Sequence, residues 1–334
     1  MKGTKEMNEM KEMNEIKEME VAEEETLLVH DSGEAGGDSA CPEVEAIRPG
    51  KWKGFAVSMI GNGHIRREMP CQDASACVTE PRPAVIVCDG RGSAKAGLSQ
   101  EGSRAAVQAF RSQLNVLEPM VSDFLDRPGL TDDEWRDLCR VFYRTLVQAK
   151  LDLSAARGLP ENEFDFTAAF AIVGGAHVGC FQVGDGALVV RRGDACETVF
   201  KPAKGEFANL TSFVRSGGEE KDDFQSAILP AEEITGVAAT SDGPQHLMFR
   251  LADMTPGPVF PQMFSLMERG ELARDDLVSY LARRQWAEDA RGDDDRSVAI
   301  VCAQATTPKE NLPDESEDDG TVPKSQTVRN EENN

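Results

Sequence analysis

The sequence predicts an α+β fold whose sheets are largely antiparallel. Strand-like and helix-like segments are segregated along the chain instead of strictly alternating, which disfavours a doubly wound parallel sheet. Their order is strands, two helices, several strands, two helices and one last strand. We therefore expect residues 51–307 to form one domain built from layers of sheet and helix.

Hydrophobic periodicity indicates the first strands and helices. Residues 52–60 alternate enough to form a strand, and residues 84–88 are wholly apolar, as in a strand buried on both faces. Residues 100–117 carry apolar side chains at helical spacing. Thr131, followed by three acidic residues, is typical of the N-cap and first turn of a second helix.

The second half of the domain is rich in strands. Apolar segments predict five of them, near residues 164–173, 177–184, 187–192, 225–229 and 234–240. Helical spacing returns near residues 259–269 and 272–288. A last apolar run at residues 298–302 predicts the strand that closes the domain.

Composition excludes several classes of protein. The chain has 334 residues and a net charge of −23, which disfavours a nucleic-acid partner because neutralising phosphates needs a basic surface. It has no apolar run of about 18–20 residues and no secretory signal, so no membrane partner is expected. The eight cysteines form no CxxC pair, which favours buried thiols in a reducing compartment. The sequence therefore predicts a cytoplasmic protein.

Both ends of the chain are predicted to lie outside the folded domain. Residues 1–50 contain 14 acidic and 5 basic side chains, a six-residue repeat and a Gly/Ser-rich linker, which predicts a disordered or transiently helical acidic arm. Residues 308–334 contain 8 acidic and 3 basic side chains and predict a disordered acidic tail. More than half of the excess negative charge lies in these two segments.

Aspartates fall at the ends of the predicted strands. Asp89, Asp185 and Asp242 each come directly after an apolar segment and before a glycine, Asp73 precedes an early strand, and residues 293–295 are three aspartates before the last strand. Carboxylates at the ends of neighbouring strands can converge, and such a buried cluster is costly unless cations compensate it. Oxygen ligands suit Mg²⁺ or Mn²⁺, so the spacing alone indicates a candidate divalent-metal hydrolase.

Simpler explanations exist for some of these aspartates. An Asp-Gly pair is common in two-residue hairpins, and for Asp185-Gly186 a plain hairpin between flanking strands is as well supported as a metal site. Asp89 and Asp242 precede segments that read as helical, which disfavours a hairpin there. The run at residues 293–295 could also be a solvated loop.

Six short motifs together resemble the protein phosphatase 2C family of metal-dependent Ser/Thr phosphatases, and in particular a bacterial-type subgroup. In chain order they are Gly63-His64-Ile65-Arg66-Arg67-Glu68-Met69-Pro70-Cys71-Gln72-Asp73, Val87-Cys88-Asp89-Gly90-Arg91-Gly92-Ser93, Phe166-Thr167-Ala168-Ala169, Val183-Gly184-Asp185-Gly186, Ala239-Thr240-Ser241-Asp242-Gly243 and Asp294-Asp295-Arg296-Ser297-Val298. Each motif is weak alone, but their joint order and spacing make coincidence improbable. The resemblance covers about residues 52–304.

The resemblance implies an αββα sandwich of two mainly antiparallel sheets flanked by helix pairs, with a two-metal centre at one end. In the matching motifs Asp89 would bridge two Mn²⁺ or Mg²⁺ ions, the Gly90 carbonyl would ligate one of them, and Asp242 and Asp294 would complete the other. Asp89, Asp242 and Asp294 would thus be the catalytic residues.

The same resemblance assigns further positions around the two ions. Asp73 would support metal-bound waters together with Gln72. Asp185 matches the position of a third, weaker metal site.

Three residues depart from the family pattern. Arg91 stands where many members have a histidine that could act as general acid, and arginine is a poor proton donor. Glu68 replaces an arginine, and Gln72 is neutral where some members have Glu. Arg91, Arg66 and Arg67 are candidates for phosphate contact, and surface solvation explains each of them equally well. His64 is expected to be a loop or structural histidine.

The resemblance implies hydrolysis of phosphoserine and phosphothreonine in proteins by a water or hydroxide that bridges two metals, in opposition to a Ser/Thr kinase. The partners would be phosphorylated proteins, including the kinase or its targets. Arg91 and Glu68 leave open a catalytically weak module that binds a phosphoprotein or a kinase. A phosphatase for a small phosphorylated metabolite is a third option.

Overall fold

A computed structural model describes residues 51–92, 97–200, 212–282 and 293–305. The predicted acidic arm and tail lie outside these residues, so their assignments, and the domain limits of 51–307, stay predictions. All described residues belong to one structural unit.

Twelve strands form three sheets within the described residues. They are β1 (Trp52–Met59), β2 (Ala74–Val78), β3 (Ala84–Cys88), β4 (Ala168–Val173), β5 (His177–Val183), β6 (Ala187–Arg192), β7 (Ala195–Thr198), β8 (Gln225–Pro230), β9 (Ile234–Thr240), β10 (Phe249–Arg250), β11 (Thr255–Pro256) and β12 (Arg296–Ala303). Sheet A has the order β1-β12-β9-β6-β7, sheet B has the order β2-β3-β4-β5-β8, and β10 pairs with β11. Every pairing is antiparallel, as the sequence predicts.

Seven α-helices are described beside the strands. They are α1 (Asn62–Arg66), α2 (Ser99–Val116), α3 (Glu118–Leu125), α4 (Asp132–Arg157), α5 (Gln245–Met248), α6 (Val259–Glu268) and α7 (Arg274–Leu281). Thr131 caps α4 in a capping box with Glu134, which confirms the predicted helix start. The predicted helix near residues 272–288 is described only as α7, and residues 283–292 lie outside the description. No helix in the described part of the chain is long and apolar enough to cross a membrane.

The alternation of side chains along each strand builds the layers. On β3, Val85 and Val87 face sheet A and share an apolar core with residues such as Val237 and Val301. Ile86, on the opposite face of β3, packs in a second core with aromatic side chains of α2 and α4. The outer face of sheet A packs in a third core against α6 and α7. The order helix, sheet, sheet, helix confirms the predicted αββα sandwich.

The link between β5 and β6 rules out one of the two explanations for Asp185-Gly186, the plain hairpin between flanking strands. The strand β5 belongs to sheet B and β6 to sheet A, so the link crosses between the sheets and the hairpin alternative is wrong. Gly184 begins this crossing with φ of 98°, and a Cβ there would lie 2.5 Å from the Thr167 side chain. Glycine is therefore needed where the chain leaves sheet B.

Further differences from the sequence predictions include one strand boundary and one unpredicted helix. Residues Glu161–Phe164 form a 3₁₀ turn, and the strand predicted from about 164 begins only at Ala168. Helix α3 was not predicted, because its short apolar face follows α2 without a turn signal between them. The 3₁₀ turn lies next to the edge of sheet B where the candidate site is found, whereas α3 packs near residues 174–176, beyond the opposite end of β4.

Candidate active site

The register of the two sheets brings the predicted aspartates to one edge of the sandwich. In sheet A, Thr240 at the end of β9 pairs with Ala187 at the start of β6 and lies opposite Val298 of β12. In sheet B, Cys88 at the end of β3 pairs with Ala74 at the start of β2, and the end of β5 pairs with the start of β4. The loops that follow or precede these strand ends therefore share one side of the molecule.

These loops form an open acidic pocket of ≈ 120 Å³. Five of the six predicted metal-site residues line this pocket, and four of those five are aspartates. The full lining is Asp89, Gly90, Arg91, Gly92, Thr167, Asp185, Phe213, Asp242 and Asp294. One carboxylate oxygen from each of Asp89, Asp185 and Asp242 lies within 4.8 Å of the others. Three carboxylate oxygens at this separation can share a divalent cation.

Burial makes these carboxylates costly to ionise. It is the largest cause that raises the pKa of Asp89, and the charges of Asp73 and Asp242 raise it further. Burial, followed by the charges of Asp185 and Asp294, raises the pKa of Asp242 to about 6. Acids that share a pocket in this way need either protons or cations to balance their charge.

Asp73 lies behind the pocket wall. Its carboxyl is buried and in hydrogen-bonding contact with Ser241 and Asp89, and burial is the main cause that raises its pKa. Within the described residues, Asp73 Oδ2 and Asp242 Oδ1 are buried and have no hydrogen-bond partner. Unpartnered carboxylate oxygens at a hard-ligand site fit divalent cations, so the donor set present suits the ions that the sequence predicts.

Gly90 keeps the loop after β3 close to its neighbours. Its N–H donates to the Gln72 carbonyl over 3.1 Å, and a Cβ at this position would lie 2.6 Å from that same oxygen. A larger residue would push the loop away and displace the Gly90 backbone from the pocket. The Gln72 side chain is buried, and neither its Nε2 nor its Oε1 has a hydrogen-bond partner among the described residues.

The three consecutive aspartates before β12 lie in three different environments. Asp294 lines the pocket, whereas Asp293 binds Arg66 at the surface. The buried Asp295 accepts from the Gly61 and Gln72 N–H groups over 2.6 Å each, and its Oδ1 lies 2.8 Å from His64 Nδ1. Asp295 thus ties two loops together, a role that sequence reasoning missed because nothing in a run of identical residues distinguishes them.

The three candidate arginines are also separated by the fold. Arg91 lines the pocket, and its Nη1 donates to Asp165 Oδ2 over 3.0 Å. Arg66 bonds Asp293 over 2.5 Å, and Arg67 Nε donates to the Gly63 carbonyl over 3.0 Å. Neither Arg66 nor Arg67 is among the residues that line the pocket.

The αββα sandwich and its edge pocket of clustered carboxylates define a hydrolase of the metal-dependent phosphatase class. A family model described as "Protein phosphatase 2C" matches residues 60–282, and the chain therefore belongs to the protein phosphatase 2C family. The chain is a protein serine/threonine phosphatase, as the sequence motifs predict, and its family depends on metal ions.

Individual relatives agree with this assignment. The chain is 27% identical over 266 residues to serine/threonine-protein phosphatase 3 of Escherichia coli (strain K12), which covers 75% of this chain and 98% of that protein. Two solved structures share the fold at a TM-score of 0.50 each. They are PppA, a key regulatory component of T6SS in Pseudomonas aeruginosa (15% identity, 76% of this chain and 99% of that chain), and the catalytic domain of the phosphatase PstP in complex with two manganese ions (14% identity, 76% and 99%). These matches do not favour the catalytically weak binding module.

Proposed function

We propose that this phosphatase removes phosphate from phosphoserine and phosphothreonine in proteins with two divalent cations, Mn²⁺ or Mg²⁺, and that it opposes a Ser/Thr kinase. The observation that carries the proposal is the convergence of Asp89, Asp185 and Asp242 to within 4.8 Å, beside Asp294 in the same pocket. The manganese ions bound to PstP, which shares the fold, support the choice of cation.

We assign the metal positions from the pocket and the family motifs. Asp89 and the Gly90 carbonyl would hold one ion, and Asp89 would share the second ion with Asp242 and Asp294. Asp185 would provide a third, weaker position. When bound, the cations supply the positive charge that activates a water molecule and neutralises the phosphoryl oxygens.

The residues around the ions orient the substrate and the ligands. Asp73 would act behind Asp89, where its contact with that carboxyl can fix the Asp89 side chain. Arg91 would bind the phosphoryl group, because it is the candidate arginine that lines the pocket. Arg91 cannot replace a histidine as proton donor, so the leaving oxygen would take its proton from solvent.

We also propose that the enzyme acts in the cytoplasm on phosphorylated proteins, among them a Ser/Thr kinase or its targets. Six described cysteines are free thiols that are buried or half-buried, which agrees with a reducing compartment; they are Cys71, Cys88, Cys139, Cys180, Cys196 and Cys302. The name of the Escherichia coli relative supports a protein substrate.

The proposal is tested by phosphate release from a phosphothreonine peptide with Mn²⁺ and with EDTA. We expect release by the wild type with Mn²⁺ alone and a loss of at least about 100-fold in Asp242→Asn, because removing one charge-stabilising group from an active site costs that much. Asp253→Asn, an exposed aspartate that bonds Arg250, is the matched control and should behave as the wild type. Equal activity of Asp242→Asn and wild type, or no activity in either, would rule the proposal out.

A further inference from the structure

A second cluster of charged side chains lies beside the acidic pocket. Lys150 of α4 is buried, with a relative exposure of 1%, and its Nζ donates to Asp165 Oδ1 over 2.5 Å and to the Val214 carbonyl over 2.7 Å. The other oxygen of Asp165 accepts from Arg91 Nη1 over 3.0 Å. Asp165 therefore joins one buried cation to one cation at the pocket.

This cluster fixes Arg91 at three points. Besides the side-chain contact, the Arg91 N–H donates to the Asp165 carbonyl over 2.9 Å. The guanidinium lies 5.2 Å from the centre of the Phe213 ring, which also lines the pocket. Lys150 anchors the two residues that contact Arg91. It bonds Asp165 directly, and it bonds the carbonyl of Val214, the residue after Phe213. The Arg91 side chain keeps 34% of its surface exposed, so it can still reach a ligand.

Lys150 gives the cluster of Lys150, Asp165 and Arg91 a net positive charge. Arg91 and Asp165 alone would form a neutral pair, and a guanidinium cancelled by its partner attracts an anion weakly. With the Lys150 ammonium on the other carboxylate oxygen, the three side chains carry a net charge of +1. That positive charge lies at the wall of a pocket whose other charged side chains are four aspartates.

We propose that Lys150 and Asp165 are positioning residues that hold Arg91, against Phe213, as the contact for the phosphoryl group of a phosphorylated peptide. This inference rests on the proposed function, because it names the part of the pocket that binds the substrate. Lys150, Asp165 and Phe213 act on the substrate end of the pocket, and the aspartates act on the cations.

The test is calorimetric binding of a peptide with a nonhydrolysable phosphonate in place of phosphothreonine to the Mn²⁺-loaded protein. We expect Arg91→Ala to weaken binding about tenfold, as for loss of a charge-assisted hydrogen bond, and Arg91→Lys to fall between it and the wild type. The double variant Lys150→Met with Asp165→Asn removes both buried charges together, so no buried charge is left unpaired. The net charge of the cluster stays at +1 in this variant, so a weaker affinity reports lost positioning of Arg91, and we expect a loss of about three- to tenfold.

A thermodynamic cycle separates positioning from a merely structural role. If Lys150 and Asp165 act through Arg91, the double variant has no further effect on the Kd in the Arg91→Ala background. Arg140→Ala is a matched control for Arg91, since Arg140 also bonds an aspartate and its side chain is 32% exposed. Arg191→Met is the control for loss of a buried cation, since Arg191 pairs with Glu268 at 7% exposure. Both controls should bind as the wild type.

The outcomes distinguish this inference from the proposed function. Wild-type binding of the phosphonate peptide by Arg91→Ala, or additive effects in the cycle, would overturn the inference even if phosphate release is intact. Binding that follows the expected pattern would support it even if the wild type released no phosphate, and in that case only the proposed function would fail.

Discussion

Two clusters of buried charge lie side by side at one edge of this sandwich, and they are balanced in opposite ways. In the cluster of Lys150, Asp165 and Arg91, each carboxylate oxygen accepts from a cation of the chain itself. In the acidic pocket, burial raises the pKa values of Asp89 and Asp242, and the charges of neighbouring carboxyls raise them further. The comparison separates charges that the chain balances with its own partners from charges that it leaves unbalanced.

The same Asp→Asn change should therefore have opposite effects on stability in the two clusters. The larger effect is expected at Asp165, because Asp165→Asn leaves the Lys150 ammonium buried without its carboxylate. We expect the free energy of unfolding to fall by about 3–5 kcal/mol. Urea denaturation measures it, and the double variant Lys150→Met with Asp165→Asn should recover part of the loss. Wild-type stability of Asp165→Asn would contradict the comparison.

The pH dependence of the stability of the metal-free protein also tests the comparison of the two clusters. Asp242 has a pKa of about 6 in the fold, above its usual 3.8, so the folded protein holds this proton more tightly than the unfolded chain. The stabilisation is complete below pH 3.8 and is lost as pH rises through 6, a decrease of about 2–3 kcal/mol from this group. About 1.4 kcal/mol of this decrease falls between pH 5 and pH 8, where denaturation in EDTA measures it. Mn²⁺ should stabilise more at pH 8, and a flat profile in EDTA would contradict the pKa assignment.

Asp242→Asn should act in the opposite direction to Asp165→Asn. It removes a charge that other carboxylates repel, so the free energy of unfolding of the metal-free protein should rise by about 1–2 kcal/mol at pH 8. The same variant should lose activity when Mn²⁺ is present. Denaturation of both proteins in EDTA tests this gain. A loss of stability in Asp242→Asn would show that its carboxylate is balanced within the chain.

The smallest effect is expected at the arginines outside the pocket. Arg66 is exposed and bonds the exposed Asp293, so Arg66→Ala should leave KM for a phosphothreonine peptide within about twofold of the wild type. Arg91→Ala should raise KM about tenfold. Equal changes in both variants would mean that the pocket wall does not define the phosphate contact.

Much of this architecture follows from local sequence. The apolar run of β3 and the capping box at Thr131 are determined by neighbouring residues. The order of elements predicts a layered α+β domain, and the family resemblance adds the αββα arrangement of its layers. The convergence of Asp89, Asp242 and Asp294 could be predicted because each adjoins a strand end and the family resemblance implies one metal centre at one end of the sandwich. Asp89 adjoins sheet B, and the other two adjoin sheet A.

The remaining features depend on contacts that no local pattern encodes. Asp185 lies in a link that crosses between the two sheets, although the local sequence suits a hairpin equally well. Only the pairing of the flanking strands β5 and β6 distinguishes the two arrangements. Lys150 lies on the buried face of a long helix and meets Asp165 beyond a 3₁₀ turn, so its position on an apolar face gave no signal of function. Asp295 differs from Asp294 only by the direction in which the loop turns its side chain.

Calorimetric titration of the metal-free protein with Mn²⁺ at pH 7.5 tests the central claim most directly, namely that the clustered aspartates bind the cations that catalysis needs. The account predicts at least two ions per chain for the wild type and for Asp253→Asn, and loss of tight binding in Asp89→Asn. Equal Mn²⁺ binding by Asp89→Asn and the wild type would contradict it.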